Sequence, residues 1–138
     1  QGARRGGIED MHANSARRDN SLVLVGTGFA ISFTLKGQRF RGIRITNLSV
    51  GGCFARVGAR HAHCFMRGAA LEDLALHHPD LPRDPIIATV AFVLGGRPGG
   101  DVTDMMGVGL NFLCMEGSTR QALEAWVGAA SAAQQMQA

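Results

Sequence analysis

The first regular pattern in the chain is an alternation of apolar and polar side chains that begins at Phe29. The odd positions are Phe29, Ile31, Phe33 and Leu35, and the even positions between them are Ala30, Ser32 and Thr34. A period of two predicts a half-buried strand over residues 29–35. Lys36 and Gly37 then predict a tight turn, because glycine adopts the positive φ that such turns require. The apolar residues 22–25 are either a short strand of their own or the start of this one.

A second strand is predicted over residues 38–48, and its pattern changes phase part of the way along. Phe40 is at an even position, whereas Ile43 and Ile45 are at odd positions, and Gly42 lies at the shift. An extra residue in one strand of a pair produces such a change of phase. We therefore expect a β-bulge at Gly42.

Three further strands are predicted, over residues 53–57, 86–94 and 106–112. In the last of these, Gly107 and Gly109 lie on the face opposite the apolar side chains. Glycines in that position indicate that another group packs closely against the strand. Residues 69–77 are ambiguous between strand and helix, because their apolar positions also have helical spacing.

A C-terminal helix is predicted from Ser118, which caps it together with Gln121 three residues later. One face of this helix is apolar and consists of Leu123, Trp126, Val127 and Ala130. Gly128 either ends the helix early or lies inside it. Several strands joined by turns and followed by one helix predict an all-β fold, a small six-stranded antiparallel β-barrel with a C-terminal α-helix packed on it.

The 138 residues are enough for one domain, in which we predict three segments. Residues 1–20 have few apolar side chains and include several arginines, so they are expected to form a basic N-terminal arm or linker. Residues 21–128 are expected to form the barrel and its helix. The Ala/Gln-rich residues 129–138 are expected to form a helical tail.

Composition narrows the classes of protein. No apolar run is long enough to span a bilayer, and no apolar segment near the start resembles a secretory signal. The three cysteines are an odd number and widely spaced, which suits buried thiols in a reducing compartment. We therefore expect a cytoplasmic protein without membrane insertion. Tyrosine is absent and there is one tryptophan, which argues against a broad aromatic surface for stacking bases, and no nucleic acid partner is expected.

Residues for metal binding or catalysis are few. His61, His63 and Cys64 lie close together, but no second pair follows at the spacing of a structural zinc site. No metal and no other cofactor are therefore expected. Cys53 is expected to be a small core residue rather than a nucleophile. Because the chain has neither a serine elbow nor a helix with paired catalytic groups, it is not expected to be an enzyme.

The most informative segment is the polar, glycine-rich turn after the second strand. Asn47 and Ser49 have short polar side chains that can bond to backbone or to a ligand, and an asparagine amide suits the edge of a guanine. Gly51 and Gly52 allow backbone conformations closed to other residues and the close approach of a flat ligand. The alternative is a turn that satisfies its own hydrogen bonds and binds nothing.

Asn47, Ser49 and Gly52 resemble the signature of the PilZ family, in which Asp or Asn, any residue, Ser, two residues and Gly follow a strand. The resemblance extends over residues 17–128, because a strand and hairpin precede the turn and a later strand leads into a helix. It implies a β-barrel whose ligand is cyclic di-GMP, with the polar turn holding the base.

The family's other motif, Arg-x-x-x-Arg ahead of the first strand, is incomplete in this chain. Arg17 or Arg18 supplies the first arginine, but Ser21 stands where the second is expected. In the family these arginines contact phosphate and guanine, which suits their planar, bidentate side chains. The loss of one such contact weakens binding by roughly ten- to hundred-fold. The candidates to replace it are Arg39, Arg41, Arg44 and the pair Arg4 and Arg5.

Two functions follow from the resemblance. The first is a cyclic di-GMP receptor or effector domain in bacterial second-messenger signalling, with a ligand site formed by Arg17, Arg18, Asn47, Ser49, Gly51 and Gly52. The second is a degenerate PilZ adaptor that binds no nucleotide and acts on a protein partner in pilus or flagellar motility, or in a polysaccharide system. The intact turn favours the receptor, and the serine at position 21 favours the adaptor.

Overall fold

The computed structural model of the chain describes residues 22–26, 29–95 and 104–137. The strands are β1 (Val23–Leu24), β2 (Ala30–Leu35), β3 (Gln38–Leu48), β4 (Gly52–Gly58), β5 (Ala70–His77), β6 (Ile86–Leu94) and β7 (Met105–Cys114). A short 3₁₀ helix, Ala59–Cys64, connects β4 to β5, and the C-terminal helix α1 is Gly117–Gln137. The ambiguous segment 69–77 is thus a strand.

The sheet closes into a barrel of six antiparallel strands. Its order is β3-β2-β5-β6-β7-β4, and the pairing of β4 with β3 completes the circle. The seventh strand, β1, is separate from β2 and pairs with the end of β3, where Val23 lies opposite Leu48. The predicted six-stranded barrel with a C-terminal helix is therefore confirmed, with β1 added to it.

The hairpin between β2 and β3 has the predicted turn and the predicted bulge. Lys36 and Gly37 have φ values of 53° and 78°. Gly42 has a φ of 63°, and the pairing with β2 shifts by one residue next to it. The bulge reverses the phase of β3, so that Phe40 and Ile45 are both buried although one position is even and the other odd.

The core fills the inside of the barrel with the apolar positions that the alternation predicts. On β2, Ile31, Phe33 and Leu35 are at most 1% exposed. Phe33 stacks on Phe40 across the hairpin, with the ring centroids 5.2 Å apart. At roughly 1.5–3 kcal/mol for each large apolar side chain that is buried, these positions determine which face of each strand points inward.

Helix α1 packs on the barrel with the predicted face. Leu123 and Val127 are buried, and Trp126 packs its ring edge against Phe29 at a centroid distance of 5.4 Å. Gly128 lies inside the helix. The predicted cap is wrong, because the helix begins before Ser118.

The first turn of α1 contains Ser118 and is attached to the barrel by its neighbour Thr119. The Arg120 backbone N–H donates to the carbonyl of Glu116 at 2.9 Å, so the first helical turn already contains Ser118. Thr119, which is fully buried, donates from its hydroxyl to the Asp84 carboxylate at 3.3 Å and fixes this turn to the loop before β6.

Within the described residues, no helix has the length and apolar character needed to cross a membrane.

Candidate ligand groove at the turn between β3 and β4

The turn between β3 and β4 is held by the hydroxyl of Ser49. This side chain is 3% exposed, and its Oγ accepts the backbone N–H groups of Gly51 and Gly52 at 3.2 and 3.1 Å. The hydroxyl donates in turn to the Gly52 carbonyl at 3.2 Å, and the Ser49 N–H donates to the same carbonyl at 2.8 Å. In this arrangement Ser49 shapes the turn, and its hydrogen-bonding capacity is used within it.

Position 52 requires glycine because the backbones of β4 and β7 approach each other closely there. A Cβ atom at this position would lie 2.0 Å from the carbonyl oxygen of Leu110 on β7. Its φ is not in the left-handed region, which corrects the expectation that the residue is needed for an unusual backbone conformation. The close neighbour is therefore strand β7, which pairs with β4 at this residue.

Asn47 reaches the outer face of the barrel because β3 contains a second bulge. The pairing of β3 with β4 shifts between Ile45 and Asn47, so the extra residue Thr46 separates an inward side chain from an outward one. The Thr46 hydroxyl donates to Oδ1 of Asn47 at 2.8 Å. Among the described residues, the amide nitrogen of Asn47 forms no hydrogen bond, so its two N–H groups are available to a ligand.

Two phenylalanine rings cover the glycines of β7 beside this turn. A Cβ atom at Gly107 would lie 2.2 Å from the Phe54 ring, and one at Gly109 would lie 2.2 Å from the Phe92 ring. The two rings stack with their centroids 6.0 Å apart, and Phe92 is 47% exposed. The expectation that another group packs closely against these glycines is therefore confirmed.

The turn and these rings form one concave surface, which we call the ligand groove. Its volume is about 480 Å³, and its lining includes Leu22, Asn47, Gly51, Phe54, Phe92 and Asn111. The volume lies within the usual range for small-molecule sites, and the lining combines apolar rings with a few amide groups. A flat, polar-edged ligand fits this combination.

Strand β1 passes along the edge of the ligand groove and is fastened to helix α1. Leu24 lies opposite Asn47 in the pairing of β1 with β3. The side-chain amide of Gln134 donates to the Leu24 carbonyl at 2.9 Å and accepts the Leu24 N–H at 3.3 Å. The glutamine thus pairs with β1 as another strand would, and it fixes the place from which the chain continues back towards residues 1–21.

Cys53 lies at the base of the ligand groove, and its thiol is unreactive. Burial raises the pKa of its thiol to about 12, so the thiolate is not populated near neutral pH. The side chain is 5% exposed. It behaves as the small core residue that its position after the turn suggests.

The residues predicted for the ligand site fall into two groups. Asn47, Ser49, Gly51 and Gly52 line the ligand groove together. Arg17 and Arg18 lie outside the described residues, as do Ser21, Arg4 and Arg5.

The three arginines of β3 do not line the ligand groove. Arg39 and Arg41 lie in a cavity with Ser32 and His77, where Arg39 donates to the Ser32 hydroxyl at 3.0 Å. Arg44 lies in a third cavity, with Arg56. The bulges of β3 direct all three to other parts of the surface, so compensation for the missing arginine by any of them stays a prediction.

Sequence analysis missed Phe54, Phe92 and Asn111 as parts of the site. The two glycines of β7 were the available signal, since they indicated a close neighbour without identifying it.

His61, His63 and Cys64 lie in the 3₁₀ helix, where Sγ of Cys64 is 3.4 Å from Nε2 of His63. The described part of the chain contains no group of three residues arranged to hold a metal ion.

No family model matches the chain, and no curated protein matches its sequence. Solved structures do match its fold. The PilZ domain of YcgR from Escherichia coli, solved with cyclic di-GMP, is 12% identical with a TM-score of 0.63, and the match covers 88% of this chain and 96% of that one.

MrkH from K. pneumonia gives two further matches. The apo structure is 14% identical, with a TM-score of 0.71 over 85% of this chain and 50% of that chain. The complex of MrkH with cyclic di-GMP is 15% identical, with a TM-score of 0.70 over 88% of this chain and 56% of that chain. The chain thus spans about half the length of the MrkH chains that it matches. Its barrel has the PilZ-like fold that the turn motif implied.

Proposed function

We propose that this chain is a receptor domain for cyclic di-GMP in bacterial second-messenger signalling. The observation that carries the proposal is the position of Asn47, Gly51 and the rings of Phe54 and Phe92 in one groove of a PilZ-like barrel. Cyclic di-GMP has two flat bases with polar edges, joined through phosphates. The ligand groove offers apolar faces and amide groups to such a base.

In this proposal each part of the ligand groove has a distinct task. The amide of Asn47 binds the edge of a guanine, and Phe92 supports its face. Ser49 and Gly52 hold the turn in the shape that presents Asn47. Arg17 and Arg18 bind phosphate and guanine from the arm, because Leu22 lines the groove and four extended residues reach about 13–14 Å.

Calorimetric titration with cyclic di-GMP tests the proposal. Asn47→Ala and Arg18→Ala are each expected to weaken binding at least about ten-fold, the effect of one lost polar or charge-assisted contact. Ser21→Arg is expected to strengthen binding by completing the arginine motif. Gln135→Ala, an exposed change on α1, is the control and should bind like the wild type.

A second candidate function is an adaptor that binds a protein and no nucleotide, and one observation favours it. The hydroxyl of Ser49 is used entirely within the turn, which is therefore self-sufficient without a ligand. A partner in pilus or flagellar motility, or in a polysaccharide system, belongs to this alternative. Absence of heat for both the wild type and Ser21→Arg at millimolar cyclic di-GMP would decide for the adaptor.

Both candidates are binding functions without a catalytic step. The thiol of Cys53 stays protonated and the hydroxyl of Ser49 is hydrogen-bonded within the turn, so neither group is an activated nucleophile, which supports this view. The arm of residues 1–20, the barrel of 21–128 and the tail of 129–138 are proposed as the working parts. A cytoplasmic location is part of the same proposal and rests on the cysteine usage.

A further inference from the structure

A second concave surface lies on the outer face of β3 and β4, and we call it the arginine pocket. Its volume is about 800 Å³, and its lining includes Arg44, Thr46, Arg56, Gly58, Arg60 and Met105. The three arginine side chains are exposed. The arginine pocket shares no lining residue with the ligand groove, although Thr46 of the one is next to Asn47 of the other.

Two of these arginines are placed against each other by the barrel itself. Arg44 lies directly opposite Arg56 in the pairing of β3 with β4. Directly opposite side chains in an antiparallel pair have Cβ atoms roughly 4.5–5.5 Å apart, and like charges in such a pair destabilise the sheet. The fold therefore holds two positive charges together at a cost in stability.

Within the described ranges no carboxylate oxygen lies within 4.0 Å of a nitrogen of these arginines. The one contact within 4.0 Å between a basic side chain and a carboxylate in these ranges is between His78 Nδ1 and Asp80, at 3.9 Å, and neither residue lines the arginine pocket. Asp104 precedes the lining residue Met105, and its backbone carbonyl accepts the Ala59 N–H at 2.8 Å. Among the described residues, the three guanidinium groups are therefore left with positive charge that a bound anion would neutralise.

The third arginine is oriented by a neighbouring histidine. Nε of Arg60 donates to Nε2 of His61 at 3.2 Å, which requires that His61 be neutral at this nitrogen. Burial, and after it the positive charges of Arg60 and His63, lowers the pKa of His61, so the ring stays in the neutral form that accepts this bond. In the part of the chain that the structure describes, no hydrogen bond uses the remaining N–H groups of Arg60.

We propose that the arginine pocket binds a ligand that carries two adjacent phosphate groups. Three guanidinium groups line one pocket, so the anion that matches them best carries several negative charges close together. A diphosphate does so, whereas an acidic peptide spreads single carboxylates along its backbone. Guanidinium groups also match phosphate oxygens with pairs of parallel hydrogen bonds.

Titration of the full chain with inorganic pyrophosphate at low salt tests the proposal. The wild type is expected to bind, and Arg56→Gln is expected to weaken binding about ten-fold or more, since one charge-assisted contact is lost. Arg120→Gln, an exposed arginine on α1 outside this lining, is the matched control and should bind like the wild type. Absence of binding by the wild type, or equal binding by Arg56→Gln, would overturn the proposal.

A second variant separates this site from the ligand groove. Asn47→Ala is expected to leave pyrophosphate binding unchanged, whatever it does to cyclic di-GMP. If it weakened pyrophosphate binding as much as Arg56→Gln does, the arginine pocket would be part of the groove and the claim of a separate site would fall. This outcome is independent of whether the wild type binds cyclic di-GMP.

A measurement without ligand tests the structural reason. At low salt, Arg56→Gln is expected to raise the midpoint of thermal unfolding, because it removes the like-charge pair, and added salt should reduce the difference. A lower midpoint would mean that Arg56 serves the fold, and would contradict the proposal.

Further ligands identify the source of the phosphates. Guanosine diphosphate binding more tightly than pyrophosphate would assign a nucleotide, and equal affinity would assign the phosphates alone. Both results agree with the proposal. Tighter binding of hexaglutamate or of a short DNA duplex would instead overturn the assignment to a small diphosphate.

Discussion

Ser49 illustrates how a single side chain in this protein serves the fold and the site together. Its hydroxyl accepts the N–H groups of Gly51 and Gly52 and donates to the carbonyl of Gly52. Water cannot take over these bonds without entering a buried turn. The position of Asn47 therefore depends on a neighbour that need not touch any ligand.

Ser49→Ala is expected to lower the free energy of unfolding by about 1–3 kcal/mol, because it leaves buried backbone N–H groups without an acceptor. Urea denaturation followed by circular dichroism measures the effect. Ser118→Ala, which changes an exposed serine in the first turn of α1, is the control and should stay within about 0.5 kcal/mol of the wild type. A Ser49→Ala protein as stable as this control would contradict the role of the hydroxyl.

Alanine substitutions at two glycines, Gly52 and Gly109, are expected to lower the stability of the fold by very different amounts, although an added Cβ meets a neighbour at a similar distance in both. At Gly52 the obstacle is the Leu110 carbonyl, at 2.0 Å from an added Cβ, and at Gly109 it is the ring of the half-exposed Phe92, at 2.2 Å. Backbone cannot move without breaking the pairing of β4 with β7, whereas an exposed ring can rotate away. Gly52→Ala should therefore destabilise the protein by at least about 3 kcal/mol, and Gly109→Ala by much less.

Thermal unfolding of the two variants measures this difference. Gly109→Ala is also expected to weaken cyclic di-GMP binding, because the displaced ring no longer covers β7 at the ligand groove. Equal stabilities for Gly52→Ala and Gly109→Ala would show that β7 yields at both positions.

At the scale of elements, helix α1 holds β1 through one side chain. Gln134 is in the last part of the helix, and both of its amide atoms bond to the backbone of Leu24. A two-residue strand has little stability of its own, so this contact and the pairing with Leu48 and Asn47 keep it on the barrel. Displacement of β1 from the barrel would therefore break its contact with α1.

Gln134→Ala is expected to increase the hydrogen-exchange rate of the Leu24 amide about five-fold or more, since the loss of one hydrogen bond is worth about 1 kcal/mol. Gln135→Ala, the exposed neighbour on the same helix, is the matched control and should leave that rate unchanged. The core amides of β2 should exchange alike in both variants. Unchanged exchange at Leu24 in Gln134→Ala would mean that the helix does not hold the strand.

At the scale of the whole molecule, stability is expected to depend on pH through two histidines. Burial, then the charges of Arg83 and Arg39, lowers the pKa of His77 from its ordinary value of 6.5, and burial also comes first among the causes that lower the pKa of His61. Nε2 of His77 lies 2.8 Å from the Ser32 hydroxyl, which also accepts a bond from Arg39, and a ring that is neutral at Nε2 accepts the hydrogen bond of this hydroxyl.

The unfolded chain therefore binds these protons more tightly than the folded protein does. The resulting stabilisation is fully present above pH 6.5 and is lost as the pH falls below that value. Urea midpoints measured from pH 8 to pH 5.5 should decline in this window, and His77→Gln should flatten the decline. A midpoint that rises on acidification would contradict the lowered pKa values.

The inside of the barrel and the chemistry of the turn between β3 and β4 could be predicted from the amino-acid pattern. The alternation along residues 29–35 and the phase change at Gly42 match the buried faces, because a pleated strand has only two faces and burial of large apolar side chains selects one of them. The motif of Asn47, Ser49 and Gly52 was visible for a similar reason, since a turn closed by a short hydroxyl side chain is formed by residues that are neighbours in the chain.

Which outward-facing residues lie next to each other depends on how the strands pair across the barrel. Alternation would place Asn47 on the inside with Ile45, and the bulge at Thr46 reverses this. The ligand groove joins Asn47 to Phe92 and Asn111, which are far away in the sequence, and the arginine pocket depends on a cross-strand register. Bulges and registers are set by the competition between long-range pairings, and such pairings have no local pattern from which they can be predicted.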